Sequence, residues 1–174
     1  MSTLKVNTIQ DTSGNVQPFG IEMADNWIIT SGYSTNSTAD IDSNWARQSS
    51  TLSNVGIIGS AMTQSSGVFT FPSTGIYLVF ASLYAYTNGG RTYIGMTHRL
   101  STDSGSSFNA VLAGYQNGYQ NTAYVYVQSV NVYDITNTST HKMKFNTDVS
   151  DTINVVGGNQ YKTTGVSFIR LGDT

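Results

Sequence analysis

The sequence predicts an all-β protein, folded as an antiparallel β-sandwich or jelly roll. β-Branched and aromatic residues dominate, with 11 Tyr, 7 Phe and 2 Trp among 174 residues, and such residues favour strands. No window holds a clean apolar repeat of helical period. Short apolar runs are instead interrupted by clusters of Gly, Asn, Ser and Asp about every 8 to 15 residues, a spacing typical of sandwiches and jelly rolls.

The first 20 residues are predicted to form an arm outside the main domain. Leu4, Val6 and Ile9 alternate with polar residues, as in a strand over 4–9, and a turn follows at 13–15. Pro18 cannot donate to a central sheet ladder. We therefore divide the chain into a docking arm, residues 1–20, and a head domain, residues 21–174.

The head domain contains ten further predicted strands. They lie at 25–31, 54–62, 67–71, 75–86, 91–100, 107–115, 122–133, 141–147, 152–156 and 164–171. The polar stretch 31–53, which carries Trp45, is predicted to be a long surface loop. The runs Asn88-Gly89-Gly90 and Gly157-Gly158-Asn159 are expected to form tight turns with positive φ.

The central predicted strand, 75–86, is apolar on both of its alternating faces. One face carries Tyr77, Val79, Ala81, Leu83 and Ala85, and the other carries Ile76, Leu78, Phe80, Ser82, Tyr84 and Tyr86. No Asp, Glu, Lys, Arg or His occurs from residue 48 to residue 90. Since an antiparallel sandwich normally leaves the outer face of a sheet in water, the second apolar face predicts a further layer or a subunit contact.

A short duplication, Gly-Tyr-Gln-Asn, occupies residues 114–117 and again 118–121. Four residues are too few for a solenoid unit. Tyr and Asn on a glycine-rich loop have the composition of a recognition loop, and a polar hairpin tip is the structural alternative.

Few residues suit catalysis, cofactor binding or metal binding. His98 and His141 are the only histidines, and no nucleophile elbow accompanies the imaginable set of His98, Asp103 and a serine. The run 40–44 begins like a calcium loop, but Trp45 and Thr51 stand where Gly and Glu are required. Asp148 and Asp151 form an acidic pair that is expected to cap a turn, with a position near an ion as the alternative. We predict a protein that is not an enzyme and has no metal or cofactor.

Charge and cysteine content narrow the range of partners. The net charge is −2 and charged residues make up 10% of the chain, with no basic stripe for nucleic acid. The chain has no cysteine, which excludes disulfides. No apolar segment of 18 residues and no secretory leader is recognisable, so we expect neither membrane insertion nor export by a signal peptide.

Two motifs resemble the superfamily of tumour necrosis factor and the complement globular heads. The first comprises Gly67, Phe69, Thr70, Pro72, Gly75, Ile76, Tyr77 and Leu78, and the second is the run Thr-Gly-Val-Ser-Phe-Ile-Arg-Leu at 164–171. The resemblance implies a ten-stranded jelly roll that assembles as a homotrimer around the central strand. Carried onto this chain, it places Leu78 and Phe80 at the threefold axis, and Tyr84 shares their face.

The segment from Leu4 to Gly14, Leu-Lys-Val-Asn-Thr-Ile-Gln-Asp-Thr-Ser-Gly, resembles the N-terminal element of fibre and appendage proteins of tailed phages, especially marine cyanophages. This resemblance implies a virion protein, which leaves its host by lysis.

Together these observations predict a trimeric, non-enzymatic fibre or appendage head on the surface of a phage particle. Leu4, Val6 and Ile9 would dock onto other virion proteins. A set of loop residues is expected to contact a host surface glycan or receptor. These are Asn88, Arg91, Tyr115, Asn117, Tyr119 and Asn121. The alternatives are a capsid decoration protein at threefold positions, a polysaccharide-cleaving appendage enzyme and a free signalling ligand.

Overall fold

The structure, a computed structural model, describes residues 9–10, 12, 16–17, 20–48, 56–87, 92–118, 123–158 and 162–174. All of its regular elements in these ranges are strands. They are β1 (Ile9–Gln10), β2 (Val16–Gln17), β3 (Met23–Ile29), β4 (Tyr33–Thr35), β5 (Ala39–Asp40), β6 (Trp45–Arg47), β7 (Thr63–Ser65), β8 (Val68–Thr70), β9 (Gly75–Thr87), β10 (Thr92–Ser101), β11 (Asn109–Gly118), β12 (Tyr124–Ile135), β13 (Lys142–Val149), β14 (Ile153–Val155) and β15 (Gly165–Gly172).

Two antiparallel sheets form a sandwich, which confirms the predicted fold class. A six-stranded sheet has the order β11-β10-β13-β8-β7, with β5 also paired to β13. A seven-stranded sheet has the order β4-β14-β9-β15-β3-β6, with β12 also paired to β9. The 13-residue strand β9 is central, because β12 pairs with it along one side and β15 and β14 pair along the other.

The core between the sheets is built around the Phe69 ring. This ring lies 5.4 Å from Trp27, 5.1 Å from Trp45, 5.7 Å from Phe145 and 5.2 Å from Phe168, measured between centroids. Most of these pairs are edge-to-face, a geometry that adds about 0.5–1.5 kcal/mol per pair to simple burial. Both sheets contribute rings, so the cluster ties the two layers together.

The predicted surface loop at 31–53 is wrong in part. The chain there forms the three short strands β4, β5 and β6, and Trp45 is 8% exposed. Its indole Nε1 donates to the Ile41 carbonyl at 2.7 Å. Each of these strands is short, polar and buries at most one side chain, and its pairing partner is distant in sequence. No local pattern therefore predicted a strand. The strand predicted at 54–62 is also displaced: Ile58 makes an isolated bridge to Ala24, and the strand itself is β7.

A buried carboxylate, Asp25, links strand β3 of the seven-stranded sheet to neighbouring segments of the chain. Asp25 is 0% exposed and accepts hydrogen bonds from Trp27 Nε1 at 3.0 Å and from the Met62 amide at 2.9 Å. It also forms an ion pair with Arg47 Nε at 3.2 Å, and that guanidinium lies 4.6 Å from the Trp27 ring centroid. One side chain thus joins β3, β6 and the segment before β7.

Two glycines are required by their surroundings, Gly75 and Gly157. Gly75, which begins β9, has φ of 140°, and a Cβ there would lie 2.6 Å from Arg170 Nε. At Gly157 and Gly158 the expected positive φ is not found. Gly157 is required for a different reason, since a Cβ would lie 2.6 Å from the Ser31 carbonyl carbon. Asn159 and residues 88–90 lie outside the described residues.

In the predicted arm, β1 and β2 pair antiparallel with each other, with Ile9 opposite Gln17. Leu4 and Val6 lie outside the described residues, so their docking role stays a prediction. Nowhere in the described ranges is there a helix with the length and apolarity to cross a membrane.

Candidate functional site

Strand β9 places its odd-numbered side chains in the core and its even-numbered ones outward, as the alternation predicted, although the even-numbered Ser82 is itself buried, at 5% exposed. The odd-numbered residues Tyr77, Val79, Ala81, Leu83 and Ala85 are each at most 3% exposed and belong to the core. The even-numbered Phe80 is 44% exposed. Since directly opposed residues of paired strands share a face, the neighbours of Phe80 can be read from the register.

The register surrounds Phe80 with apolar side chains from neighbouring strands. Val130 lies opposite Phe80 and Val132 lies opposite Leu78, both on β12. On the other side, Ile169 of β15 lies opposite Leu78. Val130 and Val132 are 49% and 51% exposed. We call this surface the outer face, and define it as the outward side chains of Leu78, Phe80, Tyr84, Tyr86, Tyr124, Tyr126, Val130, Val132 and Ile169.

Four tyrosines occupy one end of the outer face, where they form a tyrosine cluster. Tyr84 and Tyr124 are stacked at 5.4 Å between centroids, and Tyr86 lies 5.4 Å from Tyr124. Tyr126 completes the cluster at 6.1 Å from Tyr84. Tyr124 is 63% exposed. Tyr126 is also exposed, whereas Tyr84 and Tyr86 are half-buried, so the cluster presents an aromatic surface with the rings of Tyr124 and Tyr126 available to a partner.

A depression of about 280 Å³ lies in the middle of the outer face. Phe80, Val130 and Tyr126 supply apolar walls, and Lys162 supplies a cation. Lys162 Nζ donates to Ser167 Oγ at 2.6 Å, and burial lowers the pKa of this lysine to about 8. The depression could accept a side chain from a second molecule.

The two candidate receptor-contact residues that the structure describes, Tyr115 and Asn117, do not lie on this face. Tyr115 and Asn117 belong to β11 of the six-stranded sheet, opposite Gly95 and Tyr93 of β10. The expectation that they lie on a loop is wrong: the first Gly-Tyr-Gln-Asn copy continues a ten-residue strand. Asn88, Arg91, Tyr119 and Asn121 lie outside the described residues, so their contact role stays a prediction.

Sequence reasoning missed the contribution of β12 and β15 to the outer face. A usable pattern was present, because residues 122–133 carry no charge and are apolar at both odd and even positions near each end. Val130 and Val132 could have been found by the argument that identified Phe80. Ile169 could not, because its place beside Leu78 depends on a pairing between strands about 90 residues apart in the sequence.

His98 is a core residue in a hydrogen-bonded group. It is 0% exposed, with Nδ1 2.7 Å from the Tyr133 hydroxyl and Nε2 2.9 Å from Ser129 Oγ. Burial lowers the pKa of His98 to about 4. Asp103 instead accepts from Ser107 Oγ at 2.5 Å, in a separate turn. The described geometry therefore does not assemble the triad considered in sequence.

The acidic residues considered as ligands are engaged with protein groups. Asp40 pairs with Arg99 at 3.2 Å and with Lys144 at 2.9 Å. Asp148 was expected to cap a turn, which is wrong: it lies in β13 and accepts hydrogen bonds from other parts of the chain. Asp151 does accept from the neighbouring Thr152 amide, at 2.6 Å. Within the described ranges, no three His, Asp or Glu side chains converge as metal ligands.

Solved structures with the same arrangement of strands include tumour necrosis factor relatives. The structure of Eiger TNF from S. frugiperda matches with a TM-score of 0.69 at 13% identity, over 89% of this chain and 96% of that one. Murine APRIL at pH 5.0 matches with a TM-score of 0.62 at 11% identity, over 86% of this chain and 98% of that one. No protein-family model and no curated protein matches the chain. At these identities the likeness shows the fold, which is a TNF-like jelly roll.

Proposed function

We propose that this protein is a homotrimeric, non-enzymatic adhesion head on the surface of a tailed-phage particle. Its N-terminal arm would attach it to other virion proteins, and its exposed strands would bind a host surface glycan or receptor. The observation that carries the proposal is the uncovered apolar outer face, at whose centre Phe80 and Val130 are 44% and 49% exposed.

Self-association is supported by the extent and chemistry of the outer face. Apolar or aromatic side chains continue across β12, β9 and β15, and neither 78–86, 124–132 nor 165–169 contains a charged residue. Burying several such side chains contributes several kcal/mol, at roughly 25 cal/mol per Å². The occupant we infer is a second copy of the chain, repeated by threefold symmetry. The jelly-roll resemblance implies the same symmetry around this strand.

The virion location is supported by the N-terminal segment. Residues 4–14 resemble phage appendage proteins, and Ile9 of this segment lies in the small sheet β1–β2, which is hydrogen-bonded to neither large sheet in the described ranges. An arm whose strands belong to neither large sheet suits attachment to another protein.

A binding role rather than catalysis is supported by the state of the candidate catalytic groups. His98 is enclosed in the core, where a substrate could not reach it, and Asp103 is bonded to Ser101 and Ser107 in a separate turn. These groups are therefore not placed to exchange protons with a bound substrate.

The assembly is tested by light scattering on the full chain. We expect a particle of three times the 18.8 kDa chain mass at micromolar concentration. A monomer in dilute solution would overturn the proposal. Incubation of the trimer with host polysaccharide should release no new reducing ends. If new reducing ends appear, the protein cleaves polysaccharide and the non-enzymatic proposal is wrong.

Position on the particle separates adhesion from capsid decoration, which would use the same trimer to stabilise the shell. Immunogold labelling of intact particles should place the protein on the tail or its fibres. Label distributed over the capsid would favour the decoration role instead.

A further inference from the structure

The strongest unexplained feature is an exposed tyrosine on the six-stranded sheet that is held in place on several sides. Tyr115 is 55% exposed, yet its hydroxyl donates to Asp148 Oδ2 at 2.6 Å. Its ring fills the space above Gly95, where a Cβ would lie 2.4 Å from Cδ1 and Cε1. The Tyr93 ring lies 5.8 Å away at 77°. The solubility of the protein does not require that an exposed tyrosine be held by such contacts.

Asp148 is itself fixed from a second direction. Thr38 Oγ1 donates to Asp148 Oδ1 at 2.6 Å, so each carboxylate oxygen holds one hydroxyl. An ionised carboxylate has about four acceptor positions, and these two bonds leave room for further donors. The hydrogen bond to Asp148 also raises the pKa of Tyr115. The phenol therefore stays a neutral donor, and its ring a fixed surface, at physiological pH.

The composition of this patch indicates the chemistry of its ligand. A rigid aromatic ring suits the apolar C–H face of a pyranose, and preorganisation lowers the entropy that binding costs. A carboxylate with spare acceptor positions suits sugar hydroxyls. The negative charge of Asp148 disfavours an anionic sugar, and two cations of this sheet, Arg99 and Lys144, are paired with Asp40.

We propose that Tyr115, Tyr93 and Asp148 form a binding subsite for one ring of a neutral saccharide. This inference rests on the proposed adhesive function and assigns its glycan contact to the sheet opposite the outer face. Tyr115 would stack on the sugar ring, Asp148 would accept from its hydroxyls, and Gly95 is a positioning residue. The site stays open when the outer face is covered by further copies of the chain, because the two surfaces lie on opposite sheets.

The test uses the full-length protein on a printed array of oligosaccharides. The neutral probes end in glucose, galactose, mannose, rhamnose or N-acetylglucosamine, and the anionic probes end in sialic or glucuronic acid. We expect binding to neutral probes, a loss of about tenfold or more for Tyr115→Ala, and a smaller loss for Tyr115→Phe. Gly95→Ala should weaken binding although it removes no contact group. Val111→Ala, on the same strand and 41% exposed in the wild type, is the matched control and should bind normally.

Three outcomes would overturn the site. Equal neutral-saccharide binding by Tyr115→Ala and wild type would show that the contact lies elsewhere, and the adhesive function would stand. Preference for anionic probes, or for quaternary ammonium compounds in a competition assay, would give the patch a different chemistry. If the wild type adheres to host cells but binds no probe, the adhesive function stands and its ligand is not a neutral saccharide. Failure of the wild type to adhere to host cells would instead remove the proposed function itself.

Discussion

The outward surfaces of the two sheets differ in their chemistry. On the six-stranded sheet, Asp40 binds Arg99 and Lys144, and Asp148 binds Tyr115 and Thr38. On the seven-stranded sheet, Phe80, Val130 and Val132 are about half exposed with no charged side chain beside them on their own strand segments.

The difference shows which sheet is complete as it stands. On the outer side of the six-stranded sheet the carboxylates of Asp40 and Asp148 are partnered with other groups of the chain, beside the exposed rings of Tyr93 and Tyr115. The apolar outer face gains nothing from water, and contiguous exposed apolar patches on soluble proteins usually mark an interface. We therefore expect substitutions on the two surfaces to act on different properties, assembly on one side and binding on the other.

The largest expected effect is the loss of the trimer in Phe80→Asp. Three carboxylates would be brought close together in an apolar contact, where like charges repel and the burial of charge costs free energy. Light scattering should report monomers or insoluble protein. Val111→Asp places the same charge on a comparably exposed residue of the other sheet and should leave the trimer intact. Equal assembly by both variants would mean that the outer face is not the interface.

A change in the core should lower the stability of the whole domain and so affect assembly and binding together. Protonation of His98 is one such change. The folded-state pKa of about 4 lies below the ordinary value of 6.5. Between these values the unfolded chain binds a proton that the folded chain does not, so stability falls as the pH is lowered through this window. The full contribution is about 3 kcal/mol.

Urea unfolding at a series of pH values measures this contribution. His98→Gln should flatten the slope between pH 6.5 and 4, whereas the control His141→Gln should keep it. An unchanged slope in His98→Gln would assign the acid sensitivity to other groups.

Removing the buried carboxylate in Asp25→Ala should cost about 3 kcal/mol, because the Trp27 and Met62 donors lose their acceptor and Arg47 loses its partner. Chemical denaturation measures the change. Asp25→Asn, which keeps one acceptor oxygen, should be less damaging. Similar stability of wild type and Asp25→Ala would show that the network does not hold β3 to β6.

The smallest effect is expected for Asp40→Asn on the wet surface. Asp40 is 30% exposed at its side chain, and exposed ion pairs contribute about 0–1 kcal/mol. The free energy of unfolding of Asp40→Asn should differ from that of wild type by less than about 1 kcal/mol. High salt should lower the stability of the variant little further. A loss as large as that in Asp25→Ala would contradict the contrast drawn between buried and wet charges.

Much of the sandwich follows from local sequence. The alternation in 75–86 predicted both sides of β9, since the period of a strand assigns side chains to faces without knowledge of the fold. The motif from Gly67 to Leu78 indicated the β8–β9 connection. Strands with weak patterns were harder: β4, β5 and β6 are two or three residues long and polar, so nothing local distinguished them from a loop.

By itself, the sequence determined that the chain forms an antiparallel jelly roll and that its central strand has two apolar faces. Tertiary structure decided which residues accompany Phe80, and it moved Tyr115 from a supposed loop to a fixed position beside Asp148. Neither could be read locally, because strand pairing joins residues far apart in the chain. Alternation tells which side chains share a strand face, but only the register between strands tells which of them touch.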